Sequence, residues 1–294
     1  MPSMTLNRAA VLCAAAAAAA GAAIAARAHP AGPPGRTGQG PHVRVELIAD
    51  RATPAPGMRL GLKFDLDPGW HIYWLNPGDS GEPPEARWTL PPGLAASGFE
   101  WPAPERIDAG GLVNYGYHGG VVLPSTIAAA APGGAAPPGA FTAGASVRWM
   151  VCADMCVPGR AELALAFPLA AQERARVAAW KAAIDEARSR VPAPAPASWK
   201  ASARSAAGEF VLEVATGSRE AEAVFFPLDA SQVNDSAAQA VTPLASGVRV
   251  TLRKSSQLVK DPAVLKGVLA LAGRRAHVVE ARVRSSDSGF QQPK

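Results

Sequence analysis

Cys152 and Cys156 stand four residues apart in the run Val147-Arg148-Trp149-Met150-Val151-Cys152-Ala153-Asp154-Met155-Cys156-Val157-Pro158-Gly159. In a straight strand their Cα atoms would lie roughly 13 Å apart, at about 3.3 Å per residue. A disulfide spans only about 4.4 to 6.8 Å, so the chain must turn between them if they pair. Residues 147–151 read as a strand rich in β-branched and aromatic types. Val157-Pro158-Gly159 is turn chemistry that leads into a second strand-like run over 162–167. The spacing therefore predicts a hairpin mouth carrying a small disulfide. Three chemistries fit such a pair. A structural staple is the plainest, but so short a loop constrains the unfolded chain least. Thiol–disulfide exchange is better supported, because a lone close pair at a turn is easily presented to a partner. Soft-metal binding is the third, since Cys152, Met155 and Cys156 together offer three sulfur ligands for Cu(I).

Two further stretches carry candidate site residues. In Asp67-Pro68-Gly69-Trp70-His71-Ile72-Tyr73-Trp74-Leu75-Asn76-Pro77-Gly78-Asp79-Ser80-Gly81, strand alternation puts His71, Tyr73 and Leu75 on one face. Trp70, Ile72 and Trp74 take the other, and one of the two faces should be core. Gly110-Gly111-Leu112-Val113-Asn114-Tyr115-Gly116-Tyr117-His118-Gly119-Gly120 is a glycine-flanked aromatic segment that reads either as an ordinary hairpin or, in the functional reading, as a mobile lid or partner-contact surface carrying Tyr115 and Tyr117. Gly78-Asp79-Ser80-Gly81 superficially matches a serine-protease nucleophile segment, but the required histidine and aspartate order is missing. No phosphate loop, zinc-type cluster or nucleophile elbow is present.

The elements that must position these residues are mostly strands. From Val43 onward, short alternating runs are broken by Asp67-Pro68-Gly69, Asn76-Pro77-Gly78 and Pro91-Pro92-Gly93, a spacing that predicts a β-sandwich over 42–170. Residues 128–140, rich in Ala, Gly and Pro, read as a mobile loop. A helix is expected over 171–190, with Val177, Trp180, Ile184 and Ala187 on one face and Pro192 ending it. Pro192, Pro194 and Pro196 suggest an extended spacer up to residue 198. Strand-like runs at 210–214, 223–228, 247–253 and 276–283 predict a second, smaller β-domain over 199–286, followed by a polar tail, 287–294. The fold class is thus mainly β.

Residues 1–28 show a basic start at Arg8, an uncharged apolar stretch and Ala26-Arg27-Ala28, the pattern of a cleaved secretory signal peptide. Cys13 lies within it, and residues 29–41 read as a flexible linker. An exported chain with one remaining cysteine pair belongs in an oxidising or redox-managed space. The net charge of +5 falls to +3 once Arg8 and Arg27 leave, and the basic residues are scattered, which argues against nucleic acid as a partner.

Taken in order, Pro68 to Trp74, Asn76 to Gly81, Asn114 to Tyr117 and Cys152 to Gly159 resemble the N-terminal periplasmic domain of the thiol:disulfide interchange protein DsbD and copper-sensitivity-suppressor ScsB family. The resemblance covers residues 42–170 well and the second β-domain loosely. It implies an immunoglobulin-like sandwich whose cysteine pair takes electrons from a membrane or thioredoxin-like module and reduces exported partners. Such a domain is a component of a protein-disulfide reductase system, with links to copper tolerance and cytochrome c biogenesis and with no cofactor of its own. By position Cys156 matches the cysteine that forms the mixed disulfide, and Cys152 its resolving partner. His71 and Tyr73 fall where the family has tyrosines beside the pair. The family's capping phenylalanine falls at Asn114, which leaves Tyr115 or Tyr117 to replace it. The chain shows no membrane-spanning segment and no Cys-x-x-Cys motif, so a separate membrane or thioredoxin-like protein must supply electrons.

Overall fold

The computed structural model describes residues 34–134, 136–273 and 276–285. The expected signal peptide with Cys13 and the tail 287–294 lie outside the described residues. The first half of the chain forms β1 (Thr37–Gly40), β2 (Val43–Ala49), β3 (Arg59–Leu66), β4 (His71–Gly78), β5 (Glu85–Thr89) and β6 (Leu94–Ala96). It continues through β7 (Glu105–Ala109), β8 (Leu112–His118), β9 (Gly120–Ala129), β10 (Phe141–Cys152) and β11 (Cys156–Phe167). One sheet runs β1-β2-β3-β9-β6, and the other runs β11-β10-β4-β8-β7 with β5 also on β10. Alternation explains how they pack: Val45, Leu47, Leu60, Leu62 and Leu123 of the first sheet and Ile72, Trp74, Val147 and Val151 of the second are all buried in one core.

The expected linker over 29–41 is corrected at its C-terminal end, because 37–40 is a strand hydrogen-bonded to β2. Its glycines explain why so polar a segment docks. A Cβ at Gly38 would stand 2.4 Å from that of Ala161, and one at Gly40 would stand 3.1 Å from the Trp149 ring. Only a bare backbone can lie this close to β11 and Trp149.

The expected helix is two pieces, α1 (Ala171–Arg174) and α2 (Val177–Ser189). Trp180, Ile184 and Ala187 of α2 are buried and Val177 is partly buried against the sandwich core. The proline-alanine segment is not a free spacer. Its β12 (Ala193–Pro194) pairs in parallel with a later strand, and Ala193 and Ala195 N–H groups donate to the carbonyls of Ala276 and Val278. There follow β13 (Lys200–Ala206), β14 (Glu209–Ala215), β15 (Ala223–Pro227), β16 (Ala240–Leu244), β17 (Gly247–Arg253), β18 (Val264–Leu271) and β19 (His277–Ser285). Their order is β15-β18-β19-β13-β14-β17-β16, with a second core around Phe210, Leu212, Phe225, Val250 and Leu269.

This second sheet is joined to the sandwich. Phe226 packs edge-on against Trp74 and Tyr115, with ring centroids 6.2 and 5.2 Å away, and Val268 and Ala276 complete the same core. Asn76 Nδ2 donates to the Pro227 carbonyl at 2.9 Å, and Arg106 donates to that of Asp235 at 3.0 Å. The joint lies on β4, β7 and β8, and of these β4 also lies beside the cysteine pair.

Candidate functional site

Strands β10 and β11 form a long antiparallel hairpin whose register ends on Cys152 opposite Cys156. The two are joined as a disulfide with Cα atoms 4.1 Å apart, so the turn required by the spacing is made by Ala153, Asp154 and Met155. The cysteines differ in exposure. Cys152 is buried at 2% exposure, whereas Cys156 is exposed at the tip beside Met155, itself 67% exposed. An accessible sulfur is the one a partner can reach; a buried one can be reached only from within.

Strand β4 supplies the floor of the site. Cys152 lies directly across from His71, and Val151 from Ile72. His71 and Tyr73 therefore share the face that carries the disulfide, while Ile72 and Trp74 enter the main core. Both faces of β4 are buried over 71–74, and Leu75, at 44% exposure, is where cover ends. The Tyr73 hydroxyl donates to Cys152 Sγ at 2.7 Å and lies 3.6 Å from Cys156 Sγ. Burial raises the Tyr73 phenol above its ordinary value, which keeps it a donor. Its ring rests on Gly81, where φ is +91° and an added Cβ would lie 2.0 Å from the ring.

His71 is 3% exposed, with its ring 5.2 Å from that of Tyr73 and 5.8 Å from that of His118. Burial holds its imidazole below the ordinary value; the His118 charge acts the same way and Glu105 opposes it. His118 is exposed and its Nδ1 lies 3.0 Å from Glu105 Oε1.

The expected lid is corrected. Segment 112–118 is β8, paired to β4 on one side and β7 on the other. Tyr115 is fully buried and donates to Asp235 Oδ1 at 2.8 Å, and Tyr117 is buried and donates to the Pro102 carbonyl at 2.7 Å. Their rings face the core because the strand pairing fixes them there. Asn114, also buried, accepts from the Ser80 backbone N–H and hydroxyl. Arg148 is held by Glu85 at 2.5 Å. Gly81, His118 and Glu105 were not singled out from sequence, since only the strand register brings them to the pair. Among the described residues no group of three or more His, Cys, Asp or Glu side chains is arranged to hold a metal ion.

Residues 44–168 match the family described as the thiol:disulfide interchange protein DsbD, N-terminal. The crystal structure of the N-terminal periplasmic domain of ScsB from Proteus mirabilis matches at 18% identity, with a TM-score of 0.62. The match covers 84% of this chain and 96% of that one, so the shared architecture extends through the second β-domain. Domains 5–6 of the S-layer protein SbsC align at 9% identity over 82% of this chain and 97% of that one, but with a TM-score of only 0.20. No curated protein matches the chain.

Proposed function

We propose that this protein is a periplasmic thiol–disulfide exchange protein. It takes electrons through Cys152 and Cys156 from a separate membrane or thioredoxin-like partner and passes them to exported proteins. The observation that carries this reading is the unequal disulfide: Cys156 exposed at the hairpin tip, Cys152 buried under the Tyr73 hydroxyl. The Cys156 thiolate attacks a partner disulfide and forms a mixed disulfide; Cys152 then attacks Cys156, and the partner leaves reduced. The periplasmic assignment rests on the family of residues 44–168 and on the signal-like start of the sequence. No helix among the described residues is long and apolar enough to cross a membrane.

The test is trapping with a thioredoxin-like donor. Cys152→Ser should accumulate a mixed disulfide through Cys156, while Cys156→Ser should accumulate little. Equal trapping by both variants would remove the division of roles, and a bridge that the donor leaves intact would remove the exchange function itself.

A further inference from the structure

The register aligns four side chains in one row across the second sheet. His118 of β8 lies opposite His71 of β4, His71 opposite Cys152 of β10, and Cys152 opposite Cys156 of β11. Residues directly opposite in antiparallel strands point to the same face, with Cβ atoms roughly 4.5 to 5.5 Å apart. The row therefore runs from an exposed histidine, held by the exposed Glu105, through a buried histidine to the buried sulfur. His71 Nε2 is buried and has no hydrogen-bond partner among the described residues. A buried polar atom without a partner costs about 1 to 3 kcal/mol, so its retention beside a disulfide calls for a use in another redox state.

We propose that His71 is the proton partner of the Cys152–Cys156 couple, with His118 and Glu105 as its outlet to solvent. The inference rests on the exchange chemistry above and names the group that chemistry lacks. When the disulfide re-forms, the Cys152 thiol gives its proton to His71 Nε2. The sulfur's electron pair makes the bond to Cys156 Sγ, and the bond from Cys156 to the partner breaks. Its electrons leave on the partner's sulfur as a thiolate, which takes up a proton. Reduction runs the same steps backward and returns the proton from His71 to Cys152. The groups facing His71 are Tyr73, His118, Glu105 and the two cysteines. Tyr73, raised by burial, cannot accept a proton near neutrality, and His118 and Glu105 stand one strand or more further from the sulfur. A neutral imidazole, unlike the Tyr73 phenol, can take up a proton near neutrality, and burial weakens it as a base without removing that capacity.

The test is nuclear magnetic resonance titration of the His71 ring in the oxidised and the dithiothreitol-reduced protein. The expected result is a His71 midpoint that differs between the two states, because a thiol replaces the disulfide sulfur beside it. Identical midpoints would overturn the proposal. In parallel, His71→Gln should slow disulfide re-formation by at least about tenfold near neutral pH and remove the histidine inflection from its pH profile. An unchanged profile would overturn it equally, and the titration of the unaltered protein decides if that variant fails to fold. Dithiothreitol stands in for any protein donor, so the proposal can fail while exchange with a thioredoxin-like donor survives, and the reverse.

Discussion

The Tyr73 hydroxyl lies against the Cys152 end of the disulfide, 2.7 Å from Cys152 Sγ and 3.6 Å from Cys156 Sγ, and it is a donor there. A hydroxyl so placed favours a thiolate over a thiol once the bridge is reduced. Tyr73→Phe keeps the ring in its bed on Gly81 and removes the hydroxyl with its contacts to the two sulfurs and to Ser80. We expect a smaller thiolate fraction in the reduced pair at neutral pH, with folding stability little altered. Thiolate ultraviolet absorbance against pH measures it; an unmoved titration would mean the contact does not outlast reduction.

Gly81 sets where that ring can lie. A Cβ there would overlap the Tyr73 ring at 2.0 Å, and φ of +91° disfavours any L side chain. Gly81→Ala should therefore displace Tyr73 and change cysteine reactivity as much as Tyr73→Phe does, while also lowering stability by about 1 to 3 kcal/mol. Comparing alkylation rates of the two variants tests the link. A stability loss with unchanged rates would confine Gly81 to a backbone role.

Tyr115 belongs to the core and to the joint with the second β-domain, where it meets Phe226 and Asp235. Tyr115→Ala should cost about 3 to 5 kcal/mol in denaturant titration, as large buried aromatics do. In whatever fraction stays folded, the rate at which glutathione reaches Cys156 should be unchanged. Faster exchange with little stability loss would restore the lid that the sequence suggested.

That contrast shows what was legible in the chain. The cysteine spacing and the turn residues around it were enough to place a disulfide at a hairpin mouth, because pairing at that distance has few geometric solutions. Aromatic and β-branched content marked β4, and the α2 face of Trp180, Ile184 and Ala187 was read correctly because 3.6-residue periodicity is local. Tyr115 and Tyr117 were misread because flanking glycines look the same in a lid and in a tight hairpin. Gly110 and Gly111 turn the chain from β7 to β8, and both have positive φ. Strand β1 was missed because its cause is two glycines against residues over a hundred positions away. The row His118–His71–Cys152–Cys156 is a property of register, which no single segment contains.

Asp235 makes the joint between the two β-domains sensitive to pH. It is 6% exposed, and burial, aided by nearby Asp79, pushes its carboxyl up to about 6, although the Tyr115 hydrogen bond and Arg106 pull the other way. In the unfolded chain the same group titrates near about 3.9. The folded state thus binds the proton more tightly. The resulting stability is fully present below the unfolded value and is lost as pH rises from about 4 through about 6. The loss is on the order of 2 kcal/mol. Asp235→Asn keeps an acceptor for Tyr115 without a charge to bury. Its stability should fall less than that of the parent protein over this window and exceed it near neutral pH. Urea titrations of both proteins at about pH 4.5 and about pH 7.5 decide the matter. A constant gap between the two would show that Asp235 ionises in the fold at no cost and that the joint is indifferent to pH.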